Sequence, residues 1–565
     1  MHTMIPKLAR PRAVLPRSVL PRAVRVPRPR VSLLLALAVA AGGPVIAATG
    51  ASAASHGHGG LLQPGNLLVS GSVYDNDPGL LTPGVTVLPP GCTSGCVTAT
   101  NDGSYPGVFN NALVDGSFGV TSPIFLDQIT PSGRLVSTLR IPDAAQPGGG
   151  MASSFSSKSE LALNLSTDDR YVTFMGYVAQ PDLIDVSNSN TPGVVDPTNP
   201  VPSAYYRVVA TLDAQGRLTY TETNAYSGNN GRAAILNDSH GADVLYTAGN
   251  AGNGGSPEPD GVILGAGAQI MKPSQVPERA QQPGQPTPVG SFSVTQLGDA
   301  ADKIGKDTNF RGLTIFNNVV YYTKGSGGNG VNTVYFVDTT GKACPSGVGL
   351  PEPGAALPAN PIAYDPSALQ TKGVYPYNMC VLKGFPTALK STTSFPFGLW
   401  FANSRTLYVA DEGNGDNTYS AATGTYTTAA AQTTAGLQKW VLENGTWTLA
   451  YTLSSGLSLG TPYTVPGYPA GDNAATGLPW APATDGLRNI TGRVNRDGTV
   501  TLWAVTSTVS GGGDQGADPN KVVAITDDLG AQTLPAESFR TVAPARYGEV
   551  LRGVSFTPGT GAGGR

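Results

Sequence analysis

Charge, histidine, cysteine and helical periodicity are all scarce in this sequence, and each shortage excludes something. Only 13% of its 565 residues are charged, too few for charged-helix assemblies or polyelectrolyte tails. The histidines number four, His2, His56, His58 and His240, too few for a histidine-rich metal centre, and His240, the one within the strand-rich region, falls in a turn on the predicted opposite face from the only serine-elbow look-alike, "GLSLG". Apolar residues at the three-and-four spacing of an amphipathic helix hardly occur, which excludes an α-helical fold. The four cysteines fall into local pairs: Cys92 with Cys96 in "GCTSGC", and Cys344 with Cys380 around a Pro/Gly/Ala-rich insert. In an exported chain such pairs read as two disulfides, each stapling a loop. Zinc is disfavoured, because the pairs lie far apart in sequence.

The one long apolar run sits at the N-terminus. Seven arginines and Lys7 precede "VSLLLALAVAAGGPVIAA", and "TGASAAS" then offers an Ala-x-Ala site ending at Ala53. The expected reading is a signal peptide over 1–53, a secreted protein and no membrane span after its removal. No adjacent arginine pair marks a twin-arginine signal. Taking those eight cations from 35 leaves 27 against 38 carboxylates, a net charge of −11. Nucleic acid is thereby excluded as a partner. Residues 54–65 form an expected flexible leader. Cleavage after Ala53 makes His56 the third residue, where an amine, two amides and an imidazole can ligate copper(II), with His58 close by. The plainer alternative is an undocked glycine-rich leader.

What the chain does have is glycine, 73 residues, and proline, 47, between short β-rich runs that group in fours. One group is "ELALNLS", "RYVTFMGYV", "YYRVVATLD", "RLTYTETNA"; the next is "RAAILN", "DVLYTAG", "GVILGAGAQI", "SFSVTQL". A third starts "RGLTIF", "VVYYTKG", "TVYFVD" and closes after an insert near "NMCVLKGF". The fourth starts "FGLWFA" and "TLYVADE", and the fifth "RNITGRV" and "TVTLWAVTS". Three N-terminal strands, "NLLVSGSVY", "PIFLDQITP" and "RLVSTLRIP", lack an innermost partner, and "LRGVSFT" at the C-terminus is an innermost strand without the other three. Joining them closes a ring. The fold class is therefore all-β, a six-bladed β-propeller over 66–557, with seven blades if an insert hides a sheet and a disordered tail at 558–565.

"SPIFLDQITPSGRLVSTLRIP", "NFRGLTIFNNVVYYTKGSG", "GLQKWVLENGTWTL" and the terminal "RGVSF" resemble a family of secreted bacterial β-propeller proteins, distantly similar to NHL and lactonase-like propellers. The resemblance spans nearly the whole mature chain. It implies the fold and carries no catalytic residues. The inserts Asp75 to Thr121 and Thr339 to Tyr377 depart from the simple repeat.

Alignment of the six innermost strands puts Glu160, Arg232, Arg311, Phe397, Arg488 and Arg552 at one level, a ring of four arginines at one channel mouth. Loops on that face would bring in Asp75, Asp77, Asp411, Glu412, Asp416, Asp514 and Asp518. Guanidinium forks suit a carboxylate or phosphate, on a small molecule or a cell-envelope polymer. The opposing reading is that neighbouring carboxylates and strand-end carbonyls occupy the arginines and tie blades together. Asp411, Glu412, Asp416, Asp514 and Asp518 have a calcium-loop composition without the full spacing, so calcium is a possible cofactor against a background of ordinary turns. Tyr74, Phe397 and Trp480 are candidate sugar-stacking aromatics. "GLSLG" and "GSGGNG" mimic a nucleophile elbow and a dinucleotide loop, but no helix follows either. The sequence points first to a secreted binding module for an anionic ligand. Alternatives are an extracellular hydrolase or lyase, lactonase-like or a calcium-dependent phosphoesterase, and a structural surface protein.

Overall fold

The computed structural model describes residues 62–74, 85, 87–88, 97–98, 119–250, 267–280, 309–325, 331–362, 379–388, 393–511 and 516–561, apart from 156, 158, 198, 200, 469, 474 and 475. Six sheets follow one another round a ring as the blades of a β-propeller. The first blade joins the ends of the chain, in the order Glu549–Phe556, Leu67–Val73, Ile124–Ile129, Leu135–Arg140. Its closure is antiparallel from Leu67 against Phe556 to Val73 against Glu549, with a bulge at Ser70/Gly71. Alternation of inward apolar residues sets that register, since a one-residue slip would turn Leu67, Val69, Val554 and Phe556 to the wrong face.

The second blade runs Asn164–Leu165, Tyr171–Tyr177, Arg207–Asp213, Leu218–Thr223. Its innermost strand is shorter than "ELALNLS" suggests, because Leu161 adopts a left-handed φ of 61° and breaks the ladder before Asn164. The third blade shows Gly231–Asn237, Val244–Gly249 and Ala268–Met271; the expected outer strand "SFSVTQL" lies outside the described residues. The fourth blade has Phe310–Phe316, Val319–Lys324, Thr333–Val337 and Met379–Leu382, plus a short parallel strand, Val348–Gly349, on its outer edge. The Cys344–Cys380 disulfide, Cα atoms 5.9 Å apart, fixes that insert to the blade. The Cys92–Cys96 pair lies outside the described residues. The fifth blade is Pro396–Asn403, Thr406–Asp411, Gly436–Glu443, Thr446–Leu453, and the sixth is Ala483–Val494, Thr499–Val509, Lys521–Asp528, Arg540–Pro544.

Apolar faces of neighbouring blades pack against one another, so the core is a series of inter-blade layers. The repeated "RG" has a packing reason. A side chain at Gly312 would sit 2.4 Å from the Phe397 carbonyl oxygen, and one at Gly553 2.4 Å from that of Leu161. Glycine after arginine thus lets adjacent innermost strands touch. Asn489 then accepts the Val554 amide at 2.7 Å and the Leu163 amide at 3.4 Å, linking the sixth, first and second blades at the axis.

Candidate functional site

Hairpin geometry brings the aligned arginines to one face. Arg232 and Arg311 are the second residues of their innermost strands, and Arg488 and Arg552 lie in the first halves of longer ones, toward the end of the channel where the connections enter. Arg232, Arg311, Arg488 and Arg552 are all buried, as are Glu160 and Phe397. Two further residues join them. Lys324 ends the second strand of the fourth blade and pairs with Phe310 beside Arg311. Glu412 follows the second strand of the fifth blade and reaches Arg311 at 3.5 Å and Arg488 at 3.3 Å.

The ring is not an open crown. The connection from the first to the second blade crosses the mouth at its described residues Phe155, Ser157, Ser159 and Glu160. Arg552 donates to the Phe155 and Ser157 carbonyls, and Arg311 donates to Ser159 Oγ. Glu160, in the same connection, accepts from Ser153 Oγ at 2.8 Å, the Ser154 amide at 3.0 Å and the Tyr177 hydroxyl. Burial raises the Glu160 carboxyl pKa against the lowering by these bonds. Phe397 lies under Arg311, whose guanidinium carbon is 6.0 Å from the ring centroid.

Charge is unevenly spread around the mouth. Asp411, Glu412, Asp485 and Asp518 lie on the side of the fifth and sixth blades, with Arg488 among them. Arg232, Arg311 and Lys324 occupy that of the third and fourth. Burial first, and then the like charges of Arg311 and Arg232, bring the Lys324 pKa down to about 7. Burial and then Arg311 likewise depress the Arg232 pKa, against a smaller raising by Glu412, Tyr177 and Glu160. Arg232 donates to two neutral acceptors, Asn309 Oδ1 at 2.5 Å and the Phe310 carbonyl at 3.0 Å. Its Nε is buried without a hydrogen-bond partner among the described residues. A guanidinium held in this way, with a second arginine and a lysine beside it, is an electrostatic cost that a bound anion would offset.

The calcium candidates separate. Asp411 is buried, accepts the Phe395 and Gly413 amides at 2.8 and 3.0 Å, and is pushed up to about 7 by burial. Asp416 is exposed and caps its own turn through Thr418. Asp518 is buried against Tyr468 and pushed up to about 6 by burial. Asp514, Asp75, Asp77 and His56 lie outside the described residues. Among the described residues, one group of three metal-capable side chains converges, Asp338 with Cys344 and Cys380. The two sulfurs are joined in the disulfide, and Asp338 accepts the Thr340, Gly341 and Ala343 amides, so this group serves the insert's turn.

The proposed stacking aromatics are all buried. Tyr74 packs on Phe155 with centroids 5.5 Å apart, and Trp480 is 5% exposed. His240 sits in the turn between the first two strands of the third blade, at the end away from the arginines. "GLSLG" forms a turn with Ser458 at a φ of 52° and no helix after it. Sequence reasoning missed Lys324. Its signal was a cation ending the apolar strand "VVYYTK", at the hairpin distance that pairs it with Phe310.

No protein-family model and no curated protein matches the chain. Among solved structures, it is similar to a polysaccharide lyase of family PL25, an ulvan lyase bound to -[GlcA(1-4)Rha3S]-. That match has 11% identity and a TM-score of 0.28, over 78% of this chain and 91% of the lyase. It is also similar to a Synechocystis apocarotenoid oxygenase variant, with 10% identity and a TM-score of 0.31 over 88% and 93% of the two chains. The parainfluenza virus 5 hemagglutinin-neuraminidase ectodomain is similar at 11% identity and a TM-score of 0.26, over 78% and 77%.

Proposed function

We propose that this protein is an exported β-propeller binding module that holds an anionic ligand at the mouth of its channel, on the side of the third and fourth blades. Arg232 carries this reading. It is a buried guanidinium with only neutral hydrogen-bond acceptors among the described residues and an unpartnered Nε, set beside Arg311 and Lys324. A carboxylate or phosphate placed there would accept the fork in a bidentate manner and relieve the like-charge crowding. The leader sequence supports export, and the net negative surface favours a ligand captured locally over one drawn in by overall charge. A melting-temperature screen against inorganic phosphate, citrate, polygalacturonate and polyphosphate tests the reading. At least one polyanion should raise the melting temperature saturably, and a protein indifferent to all four overturns it.

Lys324 also favours a second reading, an extracellular lyase. An amine that loses its proton near neutrality, next to arginines able to hold a carboxylate, has the makings of a general base for elimination beside that carboxylate. Release of unsaturated products from a polyuronate panel would favour this over simple binding.

A further inference from the structure

The face that carries the arginines has a cavity of about 460 Å³ at its rim, and it shares no residue with the mouth. Two connections between blades build it. Tyr463, Val465 and Pro466 come from the segment entering the sixth blade, and Ala545, Arg546 and Tyr547 from the segment entering the first. Lys521, which starts the third strand of the sixth blade, closes one side.

Three observations mark it as a built site. Lys521 is half-buried, its ammonium 3.4 Å from the centroid of the Tyr463 ring, and among the described residues it has no carboxylate partner. Burial lowers its pKa, as expected for a cation facing rings and no anion. Tyr547 is 38% exposed and is held edge-on to Tyr468, centroids 6.3 Å apart, so a large flat ring is presented in a fixed pose. Most polar groups of the lining are already engaged. Tyr463 donates to the Pro519 carbonyl, Tyr468 to Asp518, and Asn520 bonds Thr506 and Leu551. Arg546 is exposed and acts on Asp127 only at long range, while Glu549 accepts its backbone amide.

The chemistry of the lining selects the ligand. Two cations call for an anionic group, and the rings and prolines call for a flat apolar body. A sugar would leave most of its hydroxyls without partners against this wall, a desolvation cost that such a pocket does not repay. We propose that the rim cavity binds a small aromatic carboxylate, its ring on Tyr547 and its carboxylate between Lys521 and Arg546.

Calorimetry with 2-naphthoate tests this, with 2-naphthalenemethanol as the probe of equal body and glucuronate as the probe of equal charge. Saturable binding of naphthoate is expected, with each comparison probe weaker by about tenfold or more. Tyr547→Ala and Lys521→Met should each weaken naphthoate by a similar factor, while Lys521→Arg retains binding. Equal binding of glucuronate, equal binding of the alcohol, or parental affinity in Tyr547→Ala overturns the proposal, as does the absence of saturable naphthoate binding. Because the alcohol comparison uses the unaltered protein, a variant that folds poorly does not decide the matter. A protein that ignores every polyanion yet binds naphthoate would sink the mouth reading and keep this one.

Discussion

Lys324 sets a pH dependence that can be worked out in sign. Folding lowers its pKa from 10.5 to about 7, so the folded chain gives up its proton first. Between those values the unfolded chain holds more protons, and stability rises with pH across the window; below pH 7 both states are protonated and the contribution is flat. The difference in unfolding free energy between parent and Lys324→Met should therefore grow in the parent's favour from pH 7 to 9 by chemical denaturation. A difference independent of pH would contradict the buried, like-charged setting. Arg207 makes a different case. It is fully buried and makes six hydrogen bonds, to Ser187, Ser189, Tyr205 and Asn229. Arg207→Met strands those carbonyls, and a loss of about 3–5 kcal/mol is expected in denaturant titration. The arginines of the mouth were legible because four of the six innermost strands carry an arginine at the same aligned position, two of them as "RG". Lys324 and Arg207 were not, because no repeat marks them.

At the scale of elements, the last strand should govern the whole ring. Glu549–Phe556 pairs along the full length of Leu67–Val73 and buries Val550, Leu551, Val554 and Phe556. Deleting Tyr547 onwards exposes that edge and opens the inter-blade layer on either side, so thermal unfolding should lose its cooperative transition. A truncated chain melting at the parental temperature would refute the closure. The disulfide acts more locally. It closes a separation of 36 residues, worth about 4 kcal/mol in chain entropy. The Cys344→Ala/Cys380→Ala variant should lose up to that much in denaturant titration while keeping the other blades. Strand grouping was legible because each blade repeats its alternation. The short inner strand of the second blade was not, since the left-handed Leu161 that truncates it is held by contacts with the neighbouring first blade, through Ser70 and Gly553.

The whole molecule combines a ring held by its own termini with a mouth whose charge is divided. The sequence alignment placed the arginines at one level but left open whether a ligand or the protein engages them. The structure divides them: Arg552 contacts the crossing segment, Arg311 contacts it and shares Glu412 with Arg488, and Arg232 keeps neutral hydrogen-bond acceptors. The crossing segment was invisible in sequence because "MASSFSSKSE" has no alternation and reads as linker. Calorimetry of parent and Arg232→Met with the best polyanion, near pH 6 and pH 8.5, tests the central claim most directly. The account predicts saturable binding that weakens at the higher pH as Lys324 loses its proton, and loss of that binding in Arg232→Met with the melting temperature held or raised. Parental affinity in Arg232→Met would contradict it.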